Sequence, residues 1–377
     1  MASLGQRVIF RADASLRIGT GHVVRCLTLA ETLARRGATV EFVCRVMDGD
    51  LVDRIEERGF TVRRLPRLGS DASAGVDPSL HARWRATDWR TDAEQTMASV
   101  AASGARGTWV VTDHYGLDWR WQRHVRSQVA RVFVIDDLAN RRHDADLLLD
   151  QNYAAVTGRY AGLVPTRCRV LEGPRFALLE DDYRAARSRM RRRTGACNRL
   201  MVFFGGADIT NETSRLLRAI AISSLRALLV DVVIGDQNPH RKEVAELVAR
   251  LPSARLHVQL SNLAGLMASA DLAIGAGGTA TWERCCLGLP SVLVATAANQ
   301  MPTLRALADD GIVMYLGRSA DVTEADYVEA ISRASDPTWL RRVAGRCQAL
   351  VDGQGVERVA RAMGLAPPEP REPGANG

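Results

Sequence analysis

Short, continuous apolar runs alternate along the chain with stretches of helical periodicity. The first half carries VIFR (8–11), a helix over 22–36 closed by Gly37, TVEFVC (39–44), WVVTD (109–113), RVFVID (131–136) and DLLLD (146–150). The second half repeats the scheme with RLMVFFGG (199–206), LLVDVVIG (228–235), ARLHVQL (254–260), ADLAIGAGG (270–278) and PSVLVAT (290–296). Runs this short and this uniformly apolar, separated by helices, are parallel strands buried on both faces. Two such series predict an α/β protein of two doubly wound, Rossmann-like domains.

The same pattern sets the expected boundaries. The first domain spans 1–180 and the second 197–350. Between them 181–196 is a charged linker helix, from ALLEDDYRAARSRMRRR, with TGACN as the break. Residues 69–90 are poor in aliphatics and predict a surface excursion. The Pro/Gly-rich tail over 365–377 predicts disorder.

Composition narrows the class. The 377 residues are 46% hydrophobic and 25% charged, which excludes a collagen, a coiled-coil rod and a mostly disordered chain. No apolar run reaches the ~18 residues of a membrane span. MASLGQRVIFRADAS has no basic-then-apolar signal pattern, so a cytoplasmic, monomeric protein is expected. The formal charge is +7, yet only Lys242 among the 50 basic residues is a lysine, so 49 are arginines. They are scattered, with one run at Arg184, Arg187, Arg189, Arg191, Arg192 and Arg193 that reads as a solvated helix. That distribution argues against a nucleic-acid partner, which needs its charge on one face. The seven cysteines (26, 44, 168, 197, 285, 286 and 347) show no CxxC and no Cys/His metal spacing, and read as buried reduced thiols with no metal.

Four groups of residues can carry chemistry. Gly19-Thr20-Gly21-His22 follows the first strand and opens a helix, where free backbone N–H groups approach a ligand. A dinucleotide fingerprint would need a third glycine, where Val24 stands, and an acid after strand two, where Cys44-Arg45 stand. His22 is then either a neutral general base at a cleft or a helix-capping histidine. Gly275-Ala276-Gly277-Gly278-Thr279 leads from a buried strand into a helix carrying Thr281 and Glu283. It predicts an anion site for a nucleotide, with Glu283 placed to accept ribose hydroxyls. Phe204-Gly205-Gly206-Ala207-Asp208 ends the first strand of the second domain and either lines the interdomain cleft or makes a plain strand–helix turn. Thr112-Asp113-His114-Tyr115-Gly116 ends another buried strand, where α/β sheets bind ligands. There Asp113 can orient a water or an imidazole and Tyr115 can bond a substrate, with capping and packing as the alternative roles. Asp136-Asp137 read as a cap or a structural pair.

Taken in order, RADASLRIGTGHVVRCLTLA, TDHYGLDWRW, IDDLANRRHDADLLLDQNY, YAGLVP, LEGPRFALLEDDYRAAR, FFGGADITNETS and IGAGGTATWERCCLGLPSVLVATAANQ resemble the PseG family, UDP-sugar hydrolases of pseudaminic acid biosynthesis. The resemblance runs from about residue 7 to about 316. It implies a GT-B-like fold, two Rossmann-like domains facing a cleft. It also implies hydrolysis of UDP-2,4-diacetamido-2,4,6-trideoxy-β-L-altrose to UDP and free sugar, with water attacking the anomeric carbon, inversion, and no metal or cofactor. By matching positions, His22 is the base and Tyr115 binds near the anomeric centre, with Asp113 beside them. Gly277, Gly278 and Thr279 hold the diphosphate and Glu283 the ribose. Gly21, Gly205, Gly206 and Gln300 contact the sugar. Trp282 stands where some members carry Asn. The alternative is a GT-B glycosyltransferase in which an acceptor hydroxyl replaces water from the same UDP-sugar donor. A non-catalytic nucleotide-sugar-binding module is a third reading.

Overall fold

A computed structural model describes residues 6–15, 18–67, 88–101, 107–190 and 197–365. The chain divides into two compact units. Unit 1 holds residues 1–150, 160–171 and 355–377, and unit 2 holds 151–159 and 172–354. The tail from 366, residues 191–196 and the expected excursion as far as residue 87 lie outside the described residues.

Unit 1 contains β1 (Arg7–Ala12), α1 (Gly21–Arg35), β2 (Thr39–Arg45), α2 (Val52–Glu57), β3 (Thr61–Leu65), α3 (Trp89–Ala101), β4 (Thr108–Asp113), α4 (Trp119–Arg126), β5 (Arg131–Ile135), β6 (Leu147–Asp150) and β7 (Arg169–Glu172). These strands form one sheet in the order β3-β2-β1-β4-β5-β6-β7. In unit 2, α5 (Asp181–Arg189) precedes β8 (Arg199–Phe203), α6 (Glu212–Ala221), β9 (Leu229–Ile234), α7 (Arg241–Ala249), β10 (Ala254–Val258) and α8 (Ala264–Ser269). Then come β11 (Leu272–Ala276), α9 (Ala280–Cys286), β12 (Ser291–Ala295), α10 (Met301–Asp309), β13 (Met314–Arg318), α11 (Glu324–Ala334) and α12 (Pro337–Leu350). The second sheet runs β10-β9-β8-β11-β12-β13. The final helix, α13 (Gly355–Ala362), counts with unit 1.

The predicted strands form where the apolar runs fall, and β1, β4, β5, β11 and β12 pair in parallel within their sheets. Three strands fall outside the predicted runs: β3, β7 and β13. Each is an edge strand with partly exposed positions; β3 and β7 have no continuous apolar run, whereas β13 lies on the apolar run Ile312–Leu316 that the strand series above does not include. The expected linker helix, α5, lies inside unit 2. Its arginine run is not simply solvated. Arg187 donates to the carbonyls of Cys286 at 2.6 Å, Gln348 at 3.0 Å and Val351 at 3.1 Å, closing the carboxyl ends of α9 and α12 where a cation meets the negative pole of each helix. All seven cysteines are free thiols, five of them buried, while Cys168 and Cys197 are partly exposed. No helix among the described residues is long and apolar enough to cross a membrane.

In both sheets the strand order reverses beside the first strand of the series: between β1 and β4 in unit 1, and between β8 and β11 in unit 2. Helices leave opposite faces there, so the loops diverge and open a crevice at the carboxyl ends of the strands. The candidate residues cluster at these two points.

Candidate active site

At the unit 1 switch point, Asp113 closes β4 and His22 is the second residue of α1. His22 Nδ1 lies 2.6 Å from Asp113 Oδ1. The carboxylate accepts a hydrogen bond from Nδ1–H, which leaves the imidazole lone pair on Nε2. Arg25, one turn along α1, grips the same carboxylate in bidentate fashion, Nε to Oδ2 at 2.5 Å and Nη2 to Oδ1 at 2.7 Å. Burial works to raise Asp113, but the charge of Arg25, then that of His22, outweighs it and holds the acid far below the usual carboxylate range. Asp113 is therefore ionised at any working pH.

Arg25 also reaches Asp137 Oδ2 at 3.1 Å, and Asp137 Oδ1 accepts the Tyr115 hydroxyl at 2.6 Å. Burial, then Asp137, pushes the Tyr115 phenol well up, so it stays a neutral donor. Its ring meets that of His22 edge-on at 4.8 Å. The three residues expected here, His22, Asp113 and Tyr115, are thus joined through Arg25 and Asp137. Neither of those two was assigned a site role from sequence. The i, i+3 spacing of Arg25 from His22 on one helix face was the available signal.

The neighbours of this cluster are structural. His114 is buried, accepts from Gly116 N at 3.0 Å and faces Asp13 at 3.3 Å. Asp13 pairs with Arg11, which Asp92 of α3 also holds. Asp136 accepts from the amides of Leu138 and Ala139 and from Tyr160, a structural role in a turn, with no helix among the described residues there for it to cap. Gly21 is the first residue of α1, and Gly19 adopts φ +88°, open only to glycine at low cost.

At the unit 2 switch point the glycines serve different ends. A Cβ on Gly275 would stand 2.1 Å from the Phe203 carbonyl, and one on Gly277 2.5 Å from Leu304, so both are demanded by packing. Gly278 faces open space. Among the described residues, the amides of Gly278 and Thr279 have no internal acceptor. Thr279, at the amino end of α9, makes no side-chain cap hydrogen bond. Glu283 shares a hydrogen bond with Tyr183 of α5, and burial pushes its carboxyl up to about 7. Gly205 takes φ +99°, and Gly206 packs on Gly235, so the loops after β8 and β9 close together. Gln300 accepts from Thr296 N at 2.9 Å, bracing the loop after β12. Trp282 is 2% exposed and belongs to the core, so it reads no ligand directly.

The other helix at this switch point is closed to anions. Asp208 accepts from the amides of Glu212 at 3.1 Å and Thr213 at 2.8 Å, filling the amino end of α6 with its own carboxylate. In many nucleotide-binding sheets a phosphate sits at the helix after the first strand. Here that place is taken, and the turn after β11 remains.

Two doubly wound parallel units of this kind make the chain a protein of the GT-B fold, the architecture of glycosyltransferases to which it is structurally similar. One of these is CalG4, the calicheamicin glycosyltransferase, with a TM-score of 0.64 at 16% identity over 96% of this chain and 98% of that one. By sequence the chain is similar to the UDP-2,4-diacetamido-2,4,6-trideoxy-β-L-altropyranose hydrolase of Campylobacter jejuni, 24% identical over 306 residues, 81% of this chain and 97% of that protein. It is also similar to the spore coat polysaccharide biosynthesis protein SpsG of Bacillus subtilis, 29% identical over 219 residues. That match spans 56% of this chain and 64% of SpsG, somewhat under two thirds of that relative's length. No protein-family profile matches the chain.

Proposed function

We propose that the protein hydrolyses a UDP-sugar, UDP-2,4-diacetamido-2,4,6-trideoxy-β-L-altrose or a close relative, to UDP and free sugar in pseudaminic-acid-type nonulosonate biosynthesis. The observation that carries the reading is the His22–Asp113 pair, a histidine oriented by an ionised acid as a general base requires. The similarity to the Campylobacter hydrolase over nearly its whole length supports the substrate class.

In this reading His22 Nε2 takes a proton from water as the oxygen attacks the anomeric carbon. The C–O bond to UDP breaks and configuration inverts. Asp113, kept anionic by Arg25, stabilises the imidazolium that forms. Tyr115, oriented by Asp137, holds the sugar near the reacting carbon, with Gly21, Gly205, Gly206 and Gln300 as further sugar contacts. UDP is already a good leaving group, so the remaining demand is a site for its diphosphate. The amides of Gly278 and Thr279 meet that demand, with Gly277, whose own amide bonds the Val294 carbonyl, setting the turn beneath the diphosphate, and Glu283 accepts the ribose hydroxyls. No step calls for a cofactor.

A transferase would use the same donor site with an acceptor hydroxyl in place of water, and the likeness to CalG4 favours keeping that reading in the test. The deciding experiment is turnover of candidate UDP-sugars in ¹⁸O water without acceptor. Label in the sugar supports the hydrolase. Label in UDP means P–O cleavage and overturns the mechanism. No turnover until an acceptor is added supports the transferase.

A further inference from the structure

One buried charge in unit 2 has no part in the chemistry above. Arg284 of α9 is 1% exposed. Its Nη2 donates to the Ala276 carbonyl at 2.6 Å and approaches Thr281 Oγ1 at 3.4 Å, while its Nε has no hydrogen-bond partner. Among the described residues no carboxylate forms an ion pair with it. Glu283, next in sequence, is the strongest opposing charge, and burial holds that acid partly protonated near neutral pH. Burial draws the guanidinium itself down to about 10.

The position of this cation is specific. A Cβ on Gly275 would lie 2.7 Å from Arg284 Nη1, so the guanidinium lies directly against the backbone of the Gly275–Gly278 turn. Its hydrogen bond to the Ala276 carbonyl holds it there. A buried cation without an anion is costly to a fold, and replacing buried ionic groups by well-packed apolar chains is often neutral or stabilising. Residues retained at a cost to stability mark sites where a ligand completes the arrangement.

We infer that Arg284 is a positioning residue for a nucleoside diphosphate, a buried countercharge lying against the Gly275–Thr279 turn and offset when the diphosphate docks at that turn. This rests on the reading of that turn as the diphosphate site. A brace with no electrostatic role predicts that removing Arg284 lowers stability and affinity together. A countercharge predicts that the two move in opposite directions.

The test compares the full-length wild type with R284M and R284K, titrating each calorimetrically with UDP and with uridine and melting each without ligand. R284M is expected to melt no lower than wild type and to lose about tenfold or more in UDP affinity, the scale of one charge-assisted interaction, with uridine affinity unchanged. R284K keeps the charge and is expected to keep most of the UDP affinity. Unchanged UDP binding by R284M, equal losses for UDP and uridine, or a lower melting temperature, including failure to fold, overturns the inference. A wild type that binds uridine but gains nothing from the diphosphate fails the reading of the turn itself, and the inference with it.

Discussion

His22 Nδ1 and Asp113 Oδ1 stand 2.6 Å apart, with the acid buried and doubly held by Arg25. The pair sets one imidazole tautomer. Replacing His22 by Asn removes the base and is expected to cut turnover by about 10²–10⁴-fold while UDP affinity stays at the wild-type value. Steady-state kinetics beside calorimetric UDP binding checks this, and near-normal turnover would remove His22 from the mechanism.

Asp113→Asn tests the tautomer separately. The amide has lost the charge and can present its NH2 to Nδ1, favouring the tautomer with the proton on Nε2, so turnover is expected to fall by at least about 10²-fold with KM little changed. Because Arg25 is then left facing a neutral group in the interior, melting temperature should fall as well. An enzyme destabilised yet fully active at lower temperature would confine Asp113 to a structural role.

Glu283 links the ribose site to pH. Its native carboxyl keeps a proton up to about 7, against an ordinary value of 4.5, so the folded state binds more protons than the unfolded across that interval. Stability therefore falls as pH rises from 4.5 to 7 by about 3 kcal/mol from this group. Glu283→Gln should flatten that slope in denaturant titrations while weakening uridine binding. A wild-type slope identical to that of the variant would contradict the assignment.

The glycines of the turn should separate by function. Gly275→Ala places a methyl 2.1 Å from the Phe203 carbonyl and is expected to cost about 4 kcal/mol or more. Gly278→Ala meets open space, so stability should stay within about 1 kcal/mol of wild type while UDP affinity drops. Thermal melts with and without UDP distinguish the two, and a Gly278→Ala protein that binds UDP normally would place the diphosphate elsewhere.

Asp208 offers a control at the neighbouring helix. Asp208→Ala removes the cap of α6 and is expected to lower stability by about 1–2 kcal/mol without changing UDP affinity. Weakened UDP binding in that variant would mean that the nucleotide depends on α6 after all.

The sequence by itself determined the two parallel sheets, because strands buried on both faces must be continuously apolar, and runs such as WVVTD and SVLVA have no other stable use. It also marked His22, Asp113 and the GAGGT turn, since polar and glycine residues directly after such strands fall at the carboxyl edge of a sheet. Edge strands β3 and β7 escaped it because polar residues break their short apolar runs, as in TVRRL and RVLE. Only the tertiary structure decided the partners of the charges. Arg25, Arg187 and Arg284 look alike among 49 arginines, yet one holds an acid, one closes two helix ends and one bonds a backbone carbonyl behind a glycine turn. A guanidinium at the end of a flexible chain can serve any acceptor within reach, and sequence spacing does not say which acceptors the fold brings there. The glycines were ambiguous for the same reason. Whether Gly275, Gly277 or Gly278 faces a ligand or a neighbour depends on residues far along the chain, such as Phe203 against Gly275 and Leu304 against Gly277.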